Sequence, residues 1–220
     1  MRVDLWQTAE ILGARLFGVC RIDDDLRRIF HFEIQKISEK LNTAISIGIP
    51  LSNSILKTLI DRPNMLYKAH YRQANAILDD IAFAVASEIS GSGYDALPIP
   101  ASMVLKRHPM IAHLSHREIA FKAGLGWWGR NNLLVNKTYG AQVRLVTVLT
   151  NLELEPDIPA DGSCGRCRAC LKACPANAIA EKREKFNLTA CSDMLQKFSR
   201  ERNFGAYICG LCLKPCVGKS

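Results

Sequence analysis

The cysteines constrain this chain more than any other feature. Eight of the nine lie between residues 164 and 216, and Cys20 stands apart. Cys164, Cys167, Cys170 and Cys174 follow the spacing C-x2-C-x2-C-x3-C, with Pro175 next. Three thiolates two residues apart can wrap corners of one iron–sulfur cubane, while the fourth, before proline, turns to a second cluster. Cys209, Cys212 and Cys216 repeat the last part of that run at a constant offset of 42 residues. Position 206 is Ala, so the second run lacks a counterpart of Cys164, and Cys191 can supply the missing ligand. The expected partition is Cys164, Cys167, Cys170 and Cys216 on one [4Fe–4S] cluster, and Cys174, Cys191, Cys209 and Cys212 on the other.

Two other uses of cysteine compete. Disulfides need an oxidising compartment, and the N-terminus has no apolar run of the kind that directs secretion. Zinc sites favour paired C-x2-C knuckles without the x3-Cys-Pro continuation. Cys20 sits in the apolar stretch Leu16–Ile22 and reads as a buried structural thiol. No window approaches the roughly 18–20 uncharged apolar residues of a membrane span. A cytoplasmic protein with no membrane partner is expected.

The net charge of +8 is unevenly placed. Residues 1–160 hold 18 Lys+Arg against 16 Asp+Glu, and residues 161–220 hold 11 against 5. Two oxidised clusters with their thiolates carry about −2 each, which offsets most of the excess in the cysteine-rich segment. On that arithmetic nucleic acid is not an expected partner.

The pattern along the chain is α+β. Apolar residues at helical period predict helices over 4–17, 25–41 and 64–90. Residues 16–22 and 43–49 read as strands, and the Pro-containing 94–100 as extended. Asp23-Asp24-Asp25 reads as the acidic start of a helix. Ser115-His116-Arg117-Glu118 is a capping-box pattern that opens a further helix. Residues 132–136 and 142–150 suggest a hairpin around the turn at 137–140. The proline-containing stretch 155–162 reads as a linker. The expected organisation is therefore a mixed α/β domain over 1–155 and a small double-cluster, ferredoxin-like domain over 156–220.

Lys122-Ala123-Gly124-Leu125-Gly126-Trp127-Trp128-Gly129-Arg130-Asn131, followed by Leu133 to Asn136 and the cysteine block, resembles a segment of the epoxyqueuosine reductases. The resemblance is strongest from about residue 115 to 216. It implies a corrinoid-reductase-like N-terminal domain, a layout shared with the reductive dehalogenases. It also implies cobalamin as a cofactor beside the two clusters. Gly124, Gly126 and Gly129 would let backbone approach a flat ligand, Trp127 and Trp128 would stack on it, and Arg130 or Lys106 would meet its side chains. Ending a helix and filling a core are the plainer uses of the same residues. The match of Gly124 to Gly129 to a phosphate-loop pattern has the wrong context, because it follows a helix and precedes a strand.

The family's proposed proton-donating Asp falls on Met110 here. His108, His113 and His116 lie close by and can donate a proton near neutrality. His116 is the first candidate, and Tyr139 in the predicted turn is a further one. The expected function is an iron–sulfur oxidoreductase that passes electrons from a ferredoxin- or flavodoxin-type donor, through both clusters, to a corrinoid or small-molecule substrate. A plain electron-transfer module that docks a partner enzyme is the alternative. Reduction of epoxyqueuosine in tRNA comes last.

Overall fold

The structure, a computed structural model, describes residues 1–107, 110–201 and 204–218. Helix α1 (Arg2–Ile11) is shorter than its apolar pattern predicts. Gly13 takes φ +107° and ends it, so Leu16 becomes the first residue of strand β1 (Leu16–Arg21). The predicted helix over 25–41 is broken into α2 (Asp24–Arg28), α3 (Phe32–Gln35) and a 3-10 turn (Ile37–Lys40). Asp23 Oδ1 caps α2 by accepting from Leu26 N at 2.7 Å. The break comes at His31, whose backbone N–H donates to His113 O at 2.8 Å instead of continuing the helical ladder.

Strand β2 (Thr43–Pro50) is buried from Thr43 to Ile49. Helix α4 (Asn53–Lys57) and the 27-residue helix α5 (Met65–Gly91) follow. Next come β3 (Ala96–Ile99) and the short antiparallel pair β4 (Lys106–Arg107) and β5 (Met110–Ile111). Helix α6 (His116–Lys122) opens on Ser115, whose Oγ accepts from Glu118 N at 3.3 Å. Strands β6 (Trp127–Trp128), β7 (Leu134–Val135) and β8 (Val143–Thr150) precede the helices α7 (Ala169–Lys172) and α8 (Leu188–Arg200). No described helix is long and apolar enough to cross a membrane.

The expected hairpin over 132–150 forms differently. Asn136 and Gly140 exchange backbone hydrogen bonds of 2.8 Å and close the turn. The flanking strands diverge, because β7 pairs with β6 and β8 pairs with β3.

Two compact units result. One comprises Met1–Ile49, Ala74–Leu125 and Arg144–Ala160; the other comprises Pro50–Gln73, Gly126–Val143 and Asp161–Ser220. The first is built on a four-stranded sheet in the order β1-β2-β8-β3, with β1 and β2 antiparallel. Cys20, Leu26, Phe30, Ile34, Ile119 and Leu149 belong to its buried core. The stretch that reads as a linker lies along the edge strand β1. Asp157 N donates to Val19 O, Val19 N donates to Asp157 Oδ2, and Arg2 holds the same carboxylate at 2.6 Å. This covers a strand edge that would otherwise present unpaired backbone groups. The second unit holds all eight clustered cysteines.

A Cβ on Gly18 of β1 would lie 2.2 Å from Ala123 O. Gly18→Ala is expected to destabilise the fold by about 1–3 kcal/mol through that overlap. A lowered denaturant midpoint at unchanged slope checks this, and an unchanged midpoint contradicts it.

Candidate metal centre

The thiols of the second unit divide by their interactions. Cys216 is perturbed by Cys170, Cys164 and Cys167. Cys209 is perturbed by Cys191 and Cys174, and Cys212 by Cys209, Cys191 and Cys174 before Cys170. Cys216 thus interacts with the first run, and Cys209 and Cys212 with Cys174 and Cys191, while Cys212 also feels Cys170. Burial, then the neighbouring thiols, raises Cys170, while Arg130 opposes the rise. Burial pushes Cys209 and Cys216 up to about 11 and raises Cys212 further. Among the described residues, no three His, Cys, Asp or Glu side chains gather closely enough for one ion.

Segment 126–143 holds both cysteine loops. Arg130 donates from Nε to Glu181 O at 2.8 Å, from Nη1 to Cys167 O at 3.0 Å and from Nη2 to Gly165 O at 2.8 Å. Gln142 Nε2 donates to Leu213 O and Lys214 O, each at 3.1 Å. Ala141 N donates to Cys216 O at 3.2 Å, and a Cβ on Gly140 would lie 2.1 Å from the same oxygen. Residues 50–73 add further support. Lys214 Nζ donates to Leu59 O, Lys68 Nζ donates to Phe204 O, and Gly210 packs on the Tyr67 ring. Sequence reasoning missed Gln142, Lys68 and Tyr67, because nothing local distinguishes a clamp from an ordinary polar or core residue.

The residues assigned to a corrinoid are occupied by the chain itself. Gly124, at φ +73°, ends α6, and a Cβ there would lie 2.6 Å from Ile158 O. The same construction on Gly126 meets Val135 O at 2.2 Å, and on Gly129 meets Asn131 Oδ1 at 2.5 Å. The Trp127 ring lies where a Cβ of Gly162 would be, 2.3 Å from Cε3. Arg183 stacks on Trp128 with its Cζ 3.5 Å from the ring centroid. Lys106 is exposed in β4. Two buried donors, Trp127 Nε1 and Asn131 Nδ2, have no partner. These residues do not fit a macrocycle. They form a ribbon packed on its own backbone.

The proton-donor candidates are spread. His108 lies outside the described residues. His116 is half-buried, its Nε2 donates to Pro100 O at 3.0 Å, and Thr147 Oγ1 donates to its Nδ1 at 2.9 Å. Burial pushes it down to about 4. Both ring nitrogens are engaged within the fold, on Pro100 and Thr147. His113 Nε2 donates to Glu33 Oε2 at 2.9 Å, and its buried Nδ1 has no partner among the described residues. Tyr139 lines a cavity of about 230 Å³ with Asn53, Gln142 and Val217. Cys20 is buried with its thiol pushed up to about 12, as a structural cysteine should be.

The same fold occurs in a reductive dehalogenase whose structure is described with B12-dependent dehalogenation, at TM-score 0.75 and 20% identity, covering 96% of this chain and 30% of that one. An epoxyqueuosine reductase solved with an epoxyqueuosine-modified tRNA stem loop matches at TM-score 0.55 and 22% identity, covering 80% of this chain and 52% of that one. In sequence, the chain is epoxyqueuosine reductase-like. The epoxyqueuosine reductase of Listeria monocytogenes is 37% identical over 111 residues, 47% of this chain and 29% of that protein. The match thus spans under a third of that relative. No protein-family model matches the chain.

These findings correct two expectations. Electron delivery to a corrinoid was placed ahead of tRNA chemistry, yet the curated relatives are epoxyqueuosine reductases and one solved neighbour holds modified tRNA. The partner-docking alternative fits no better. The exclusion of nucleic acid falls with the same finding. Its arithmetic averaged charges that the structure separates, for Arg166, Lys172, Lys182 and Lys185 are exposed whatever charge the cysteines carry beneath them.

The folded pKa of His116 lies below the unfolded value of 6.5, at about 4. Its contribution to stability is complete above pH 6.5 and is lost as pH falls through the interval down to about 4. Wild-type protein is expected to lose up to about 3 kcal/mol across this window from this group. His116→Gln is expected to flatten that part of the profile in denaturant titrations at pH 7 and pH 4.5. An equally steep profile in the variant contradicts the assignment.

Proposed function

We propose that the chain is an iron–sulfur oxidoreductase that holds two [4Fe–4S] clusters and reduces an epoxyqueuosine-type nucleoside in tRNA, in the cytoplasm. What supports this reading is the interaction of Cys216 with the first cysteine run and of Cys209 with Cys174 and Cys191, in a chain similar to an epoxyqueuosine reductase over 111 residues. A cubane spreads its thiolates over separate irons, which suits groups whose members do not converge on one point. Each cluster, when bound, carries one electron at a time. Removing an epoxide oxygen as water, with formation of the alkene, takes two electrons and two protons, so two clusters match the electron demand.

The protein's own part is to hold the loops and to move a proton. Met110 has no titratable proton. His113 is the group we assign in that segment, because Glu33 orients its ring and one nitrogen is unpartnered. Cobalamin, which the resemblance implies, has no fitting cradle among Gly124 to Arg130, and no step is assigned to it. The exposed basic residues between 166 and 185 suit the phosphates of the RNA.

The test uses the full chain, reconstituted without oxygen. About eight irons per chain are expected. With dithionite, an anticodon stem loop bearing epoxyqueuosine should lose one oxygen by mass spectrometry. RNA affinity should fall steeply with salt. Zinc in place of iron, or eight irons with an unchanged stem loop, would overturn the reading. His113→Gln should keep its iron and slow the oxygen loss at least tenfold, and a wild-type rate would remove His113 from the mechanism.

A further inference from the structure

Arg130 stands in an unusual relation to the first cysteine loop. Its side chain is 16% exposed, and three of its nitrogens end on backbone carbonyls. Two of those carbonyls, of Gly165 and Cys167, lie between the first and third thiols of the Cys164 group. The guanidinium is planar and stays charged at every accessible pH. Its nearest carboxylate, Glu181, is 3.6 Å away, 53% exposed and also paired with Arg168. That countercharge is therefore shared and screened by solvent. Trans peptide planes turn the amide N–H opposite the carbonyl. Holding both carbonyls fixes the posture of the loop that presents Cys164, Cys167 and Cys170.

Around the second run the cations Lys68 and Lys214 end on the Phe204 and Leu59 carbonyls, outside the segment from Cys209 to Cys212. Gln142 clamps Leu213 and Lys214 with an uncharged amide. Burial acts most strongly on Cys209 and Cys212, and no arginine is among the groups that act on either thiol. Cys167 of the first group is exposed, so solvent also reaches that side. One-electron reduction adds a negative charge to a cluster that already carries four thiolates. A fixed positive charge and access to water favour the reduced form, and burial among thiols opposes it.

We propose that Arg130 raises the reduction potential of the cluster on Cys164, Cys167, Cys170 and Cys216 above that of the other, by fixing its loop and placing a permanent positive charge beside it. The proposal rests on the two-cluster reading given above. An electron received from an external one-electron reductant by the Cys174 group then passes downhill to the Cys164 group. The first is oxidised as the second is reduced, and no proton or further reactant is needed. Arg130 is a positioning residue here, since it touches the loop rather than the iron.

The experiment is a potentiometric titration of the reconstituted full chain, followed by electron paramagnetic resonance. The variants are Arg130→Met, Arg130→Lys and Glu181→Gln. Wild-type protein should show two midpoints. Arg130→Met should move one midpoint to more negative potential and leave the other in place. Arg130→Lys should move it less, and Glu181→Gln should move the same midpoint in the positive direction. The signal that moves should be the one disturbed by Cys216→Ser and not by Cys191→Ser. Eight irons with both midpoints unmoved, or moved alike, would sink the proposal. If Arg130→Met loses iron, the opposite shifts of Arg130→Lys and Glu181→Gln still decide it. Fewer than eight irons in the wild type would instead count against the two-cluster reading.

Discussion

The second unit depends on a conflict between burial and charge. Metal ligation needs thiolates, yet burial raises Cys170, Cys209, Cys212 and Cys216 above the ordinary thiol value. On the two-cluster reading, iron would draw off those protons, and ligation and proton release would be one event. A loop that had to find its shape at the same moment would add backbone entropy to that cost. The chain reduces the addition by holding the loops through their carbonyls. Arg130 takes the Gly165 and Cys167 carbonyls, and Gln142 those of Leu213 and Lys214. Neither clamp uses a thiol, so both leave the ligands free for metal.

The glycine and tryptophan run shows why close backbone approach is an ambiguous sign. A bare Cα permits contact with a flat ligand and with another strand equally well. At Gly126 the partner is Val135 O, and at Gly140 it is Cys216 O. Trp127 packs on Gly162, and Trp128 carries Arg183 on its face, a cation–π contact of about 0.5–2 kcal/mol. These contacts tie β6 and β7 to the segments that precede and follow the first cysteine run. The motif therefore builds the frame of the metal centre. Its residues reach the chemistry through backbone they hold in place.

Much of this was legible in the sequence, and the failures share a cause. Strands β1 and β2, helix α5 and the Ser115 cap follow from local pattern, and their positions agree with it within a few residues. The single helix over 25–41 was misread because its periodicity is sound and the interruption is tertiary: His113 O takes the N–H of His31. The hairpin failed for the same reason, since its turn is local but its strands find partners at Trp127–Trp128 and Ala96–Ile99. The thiol grouping expected from spacing rests on a pseudo-repeat, which carries long-range information that a single local motif lacks. His116 could not be judged, because a histidine after a capping serine looks the same whether its ring meets solvent or, as here, Pro100 and Thr147.

Net charge misled through a related averaging. Summing cluster and side-chain charges treats them as one body, whereas a phosphate chain meets only what the surface offers. Ionic screening acts over about 8 Å at physiological salt, so a cation at the surface is felt by a close phosphate more than charge at depth. Arg166, Lys172, Lys182 and Lys185 are exposed, while Arg168 is tied to Glu181. Arg130 is the contrasting case in the same stretch of structure, a cation turned inward onto carbonyls and mostly hidden from solvent. One set of cations faces outward, while Arg130 ends on the backbone of the first cysteine loop. A summed charge cannot show the difference between the exposed cations of residues 161–220 and the inward-turned Arg130.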